Sequence, residues 1–69
     1  MNELEKRKRI VKELGVYPMF WRNLELIYPH LPKTKITEKE VVDTLSNLIK
    51  EGQIETKKEF GESWFRLNL

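Results

Sequence analysis

Apolar residues recur at helical spacing through the first two thirds of the chain and then alternate with polar ones. Leu4, Val11 and Leu14, with Ile10 beside them, make the first stripe, which predicts a helix over about Glu3 to Leu14. Asn2 is placed to cap it, with Glu5 three residues on, and Gly15 to end it. Val16-Tyr17 reads as an extended link, because the residue before Pro18 avoids the helical region. Phe20, Leu24, Ile27 and Leu31 then fall on one helical face, predicting a second helix that is entered at Pro18 and stopped by Pro29. Trp21 and Tyr28 lie on a neighbouring face.

The third periodic stretch is the best delimited. Thr37 and Glu40 have the spacing of a capping box, Val41, Leu45, Leu48 and Ile49 share a face, and Gly52 sits where a helix ends in a left-handed residue. A helix over 38–51 is expected. The segment from Pro29 to Lys35 has no period and reads as a turn, and Thr34 to Ile36 is the candidate for a short first strand. Beyond Gly52, residues 53–69 read as a hairpin: strands over 53–59 and 63–69 around Glu59-Phe60-Gly61-Glu62. Alternation points Ile54, Phe65 and Leu67 inward and Trp64, Arg66 and Asn68 outward.

The pattern Val-x-x-x-Leu-x-x-Leu-Ile-x-x-Gly-x-Ile, Val41 to Ile54, followed by a hairpin, resembles the recognition helix and wing of the winged helix-turn-helix family. The order of three helices and a hairpin extends the resemblance over nearly the whole chain. The fold it implies is α+β, mainly α: three helices followed by a C-terminal β-hairpin wing, in a single domain over residues 1–69. Members of that family usually lay the third helix in the major groove and the wing along the backbone or in a minor groove. A minority bind other proteins, and the fold alone does not choose between them.

Under the DNA expectation, the outward face of helix 38–51 carries Lys39, Glu40, Asp43, Asn47 and Lys50. Asn47 suits adenine, Lys39 or Lys50 guanine or phosphate, and Asp43 cytosine. Lys35, Lys57 and Lys58 are the expected phosphate contacts. Two acids on that face oppose its two bases, however, and Glu55, Glu59 and Glu62 share the hairpin with the wing lysines. Lys6, Arg7, Lys8, Arg9 and Lys12 wrap around the first helix. Trp21, Tyr28 and Trp64 are the candidate protein interface, with Trp21 and Tyr28 expected at the seam of a homodimer on a palindromic site. The expected function is therefore sequence-specific duplex DNA binding by a small transcriptional regulator. The alternative is a winged-helix protein-contact module in a multiprotein assembly.

Composition narrows the remaining classes. With 39% apolar residues the chain can bury a small core, and with no cysteine and one histidine it offers no disulfide and no zinc ligand set. His30, in the proline-rich turn, is expected to be exposed or to cap a helix end. The formal net charge of +2 neither demands nor excludes nucleic acid. No phosphate-binding glycine loop and no nucleophile set is present, so no enzyme activity, cofactor, metal or small-molecule substrate is expected. No apolar run approaches the roughly 20 residues of a membrane span, and the charged start lacks a signal-peptide core. A cytoplasmic location is the expectation. Abundant Lys and Glu with a single Gln is a thermophile-like bias.

Overall fold

The computed structural model describes residues 1–69. It is a small α+β domain of three helices and a three-stranded antiparallel sheet. In chain order the elements are α1 (Glu3–Gly15), β1 (Arg22–Asn23), α2 (Leu24–Ile27, continued by a 3-10 turn over Tyr28–His30), α3 (Glu38–Lys50), β2 (Ile54–Glu59) and β3 (Glu62–Leu67). β3 is the middle strand, with β1 on one side and β2 on the other.

Both long helices are set by their caps. The Asn2 side chain accepts from the Glu5 amide at 2.8 Å. At α3 the capping box is complete: Glu40 N donates to the Thr37 hydroxyl at 3.2 Å and Thr37 N donates to the Glu40 carboxylate at 2.9 Å. Its far end is a Schellman closure, with Gly52 N donating to Ile49 O and Gln53 N to Leu48 O, both at 3.0 Å. Gly52 adopts φ +76, which a residue with a Cβ resists. Gly15, by contrast, is the last helical residue of α1 rather than a left-handed cap.

The second periodic stretch is where local pattern and structure part. No helix begins at Pro18. Tyr17 to Phe20 form a turn closed by Phe20 N donating to Tyr17 O at 3.1 Å. Arg22 and Asn23 instead pair with Phe65 and Trp64 as β1. Asn23 then caps the short α2, accepting from Leu26 N at 3.0 Å. The third strand therefore precedes α2. Thr34–Ile36 is not a strand but a turn, with Lys35 N and Ile36 N both donating to Pro32 O. Pairing with the open edge of β3 satisfies backbone groups that a helix over these residues would satisfy internally, and the apolar spacing alone does not separate the two solutions.

The core gathers Ile10 and Leu14 from α1, Ile27 from α2, Leu31 and Ile36 from the following turn, Val41, Leu45 and Leu48 from α3, and Ile54 from β2. Each such side chain contributes about 1.5–3 kcal/mol by leaving water. Phe65 and Leu67 pack against this core from β3. Two expected core members are not there: Phe20 is 63% exposed and Leu4 59% exposed.

Candidate nucleic-acid interface

The candidate surface begins with how α3 distributes its polar residues. At about 100° per residue, its outermost line is Lys39, Asp43, Ser46 and Lys50. Lys39 and Asp43 form an i,i+4 pair at 3.6 Å, with side chains 87% and 64% exposed. Such a pair is weak and leaves both groups open to a partner. Asn47 is half-buried beside this line and Lys50 is exposed at the C-terminal end.

Glu40 does not belong to the outward face assigned to it from the sequence. It turns toward α1, where Lys6 meets it at 2.6 Å. Two contacts, the Lys6 ammonium first and the Thr37 cap second, hold its carboxyl down from 4.5 to about 2. At the other end of α3, Glu51 takes both guanidinium nitrogens of Arg7 in a bidentate pair, which lowers the Glu51 pKa. Lys6 and Arg7 thus tie α1 to opposite ends of α3, and the acids on that flank are neutralised within the fold.

The opposite flank of α3 is different. Glu38, Val42 and Leu45 line a cleft of about 560 Å³, completed chiefly by Leu24, Glu25 and Tyr28 from the α2 region and by Glu62 and Phe65 from β3. Its rim carries the carboxylates of Glu25, Glu38 and Glu62, none of which has a cationic partner; Glu62 accepts only from the Asn23 amide at 3.0 Å.

On the hairpin, the lysines expected to hold phosphates are not equivalent. Lys57 is stacked over the Trp21 ring at 4.7 Å and paired with Glu59 at 3.3 Å. Arg66 stacks on the same indole at 4.3 Å and pairs with Glu55 at 2.7 Å. Lys58 is exposed and unpaired opposite Ser63. The turn is a two-residue connection with both central residues at positive φ, Phe60 at 55 and Gly61 at 75, and Phe60 is 89% exposed.

The three aromatics expected at a protein interface are all engaged within the chain. Trp21 carries both Lys57 and Arg66 over its ring. Tyr28 donates its hydroxyl to Ile36 O at 3.2 Å, with Lys33 over its ring. Trp64 donates its indole N–H to Glu59 O at 3.1 Å. The apolar surface left open is instead the turn after α1, where Val16, Tyr17, Met19 and Phe20 are exposed and the Tyr17 and Phe20 rings stack at 5.6 Å. Periodicity places Phe20 in the core; the structure instead puts it with Tyr17 on either side of Pro18 in an exposed turn.

Ion pairing sorts the cations. Lys6, Arg7, Arg22, Lys39, Lys57 and Arg66 are engaged. Lys8, Arg9, Lys12, Lys33, Lys35, Lys50 and Lys58 have no carboxylate partner. Of the residues singled out from the sequence, Lys35, Lys50 and Lys58 are therefore free cations, Lys39 is weakly paired, and Lys57 is committed to Trp21 and Glu59. No group of three or more His, Cys, Asp or Glu side chains is arranged to hold a metal, and no helix is long and apolar enough to cross a membrane.

No family model, curated protein or solved structure matches this chain.

Proposed function

We propose that this chain is a winged-helix domain that binds duplex DNA, with α3 as the reading helix and the β2–β3 hairpin as its wing. The element order α1, β1, α2, α3, β2, β3 supports the reading, since it sets a short helix, a turn and a capped helix directly before a hairpin. The observation that carries it is the withdrawal of Glu40 and Glu51 into pairs with Lys6 and Arg7. That removes two of the acids adjoining the outer line of α3, leaving Lys39, Ser46, Asn47 and Lys50 beside the single carboxylate of Asp43. Lys39 and Lys50 can donate to guanine or phosphate, Asn47 to adenine, and Asp43 can accept from cytosine.

A regulator function follows only from sequence selectivity, so the test is selection from a pool of random duplexes, followed by titration of the enriched sequence over a range of salt. Enrichment of a defined site, with affinity that falls as salt rises and drops further in Lys50→Glu/Lys58→Glu, is the expected result. Absence of duplex binding at low salt sinks the proposal.

A second reading, a protein-contact module, is favoured by the apolar cleft with its rim of Glu25, Glu38 and Glu62. Those carboxylates suit a basic, apolar segment and repel phosphate. Reversing two of them separates the readings. Glu25→Lys/Glu62→Lys tightens duplex binding if α3 faces DNA, and abolishes capture of a cationic partner if the cleft holds a protein.

A further inference from the structure

The charges of α1, which in sequence wrap the helix, divide in the structure into two sets with different work. Lys6 and Arg7 face α3 and are neutralised there. Lys8, Arg9 and Lys12 fall on the side away from the core, at the spacing that makes one stripe of a helix, and none has a carboxylate partner. Lys35 reaches the same place from the turn that leads into α3. Together these four cations line a groove of about 280 Å³ in which Glu5 is the only acid.

We propose that this groove is a second phosphate site, which takes a nucleic-acid backbone. Four of its six lining residues are cationic, an excess of positive charge that suits an anion. It is also an open surface groove, suited to an extended polyanion. Lys8 and Lys12 stand about 6 Å apart along the helix axis, at 1.5 Å per residue. One strand of B-DNA presents a phosphate about every 3.4 Å of its axis, so the stripe spans two such steps. Lys35 joins this groove to the start of α3, only three residues before Glu38. The cleft on the far flank of α3 is rimmed by Glu25, Glu38 and Glu62 and turns phosphate away. The α1 side is the side on which backbone is electrostatically welcome.

The assignment to a nucleic-acid backbone rests on α3 as the duplex-facing helix; the phosphate affinity of the groove does not. Two probes keep them apart. The first is tripolyphosphate, titrated into the whole chain and followed by amide NMR shifts. The shifts should centre on Lys8, Arg9, Lys12 and Lys35. Affinity should fall at least tenfold in Lys8→Gln/Arg9→Gln/Lys12→Gln and rise in Glu5→Gln, both on exposed positions. Shifts centred on Lys50 and Lys58, or no shift at all, overturn the phosphate site.

The second probe is the duplex enriched by selection. The same triple variant should keep its sequence preference while its salt slope drops by roughly 2–3, near 0.9 per lost phosphate contact. An unchanged slope shows that the groove holds no backbone in the complex and overturns the nucleic-acid assignment. If the wild-type chain binds tripolyphosphate in the groove and no duplex at any salt, the reading of α3 fails and the nucleic-acid assignment fails with it, while the groove stands as an anion site. A stripe that does reach phosphate makes the footprint longer than α3 and the hairpin alone would cover.

Discussion

Lys6 of α1 and Glu40 of α3 meet at 2.6 Å, and the same Glu40 carboxylate closes the capping box on Thr37 N. One side chain thus starts a helix and docks it against another. Its carboxyl is held at about 2 against an ordinary 4.5, so this contribution to stability is fully present above pH 4.5 and is lost as pH falls toward 2. The Glu51 carboxyl, lowered by Arg7, acts in the same direction. Glu40→Gln preserves the capping geometry and removes the titration. Its melting temperature should lie below wild type at neutral pH, and the gap should close between pH 4.5 and 2. A gap independent of pH contradicts the assignment. At the alkaline end the Lys6 ammonium is held above its usual 10.5, so the pair persists until pH rises through that raised value.

Phe60 stands in the left-handed region at φ 55 with its ring 89% exposed. A bulky residue there is strained, and a two-residue turn with both centres at positive φ favours Asn-Gly. Phe60→Asn should stabilise the chain by about 1 kcal/mol, which for a domain of this size raises the melting temperature by about 4–8 °C. A lower melting temperature would show that the ring contributes packing that its exposure does not reveal. A variant that is both more stable and weaker in duplex binding identifies the strained ring as a partner contact.

Gly52 tests the opposite kind of site. Its φ is +76 and a Cβ there would meet nothing within 4 Å, so the penalty of a side chain is conformational alone. Gly52→Ala should destabilise by about 1 kcal/mol. Gly52→Asn should lose less, because Asn tolerates the left-handed region. Equal losses in urea unfolding would point to a steric cause instead.

Arg22 fastens β1 to the end of α1. Its guanidinium donates to the Glu13 carboxylate at 2.8 Å and also to the Glu13 carbonyl oxygen. Both side chains are largely buried, and Arg22 Nε has no partner. Arg22→Met strands the Glu13 carboxylate and should cost about 1–3 kcal/mol. Adding Glu13→Gln should recover part of that loss, since the residue left behind is then neutral. A double-mutant cycle by denaturant unfolding measures the coupling, and strictly additive losses rule it out.

The elements that were legible in the sequence are those with a local cause. Asn2 and Thr37 mark the starts of α1 and α3, Gly52 marks a helix end, and Phe60-Gly61 marks the hairpin turn; each acts through bonds to neighbours a few residues away. β1 was not legible. A two-residue strand has too short a pattern to show alternation, and Phe20, Leu24 and Ile27 match a helical face equally well. Asn23 was the usable signal, because Asn is favoured at a helix start and disfavoured inside a helix, and here it accepts from Leu26 N. Trp21 and Tyr28 looked outward by helical periodicity and Trp64 by strand alternation, yet each found a cation or a backbone oxygen within the chain.

Hydrophobic spacing and capping chemistry by themselves determined two long helices, a glycine-ended turn and a hairpin, because those preferences are settled over a few consecutive residues. Only the tertiary structure decided which charges remain available to a partner. Lys6 and Lys8 are the same residue type in the same helix. One is neutralised by Glu40 from an element more than thirty positions away, and the other lines a cationic groove with Lys35. Coulomb interactions act through distance in space, and those distances exist only once α1, α3 and the sheet have packed.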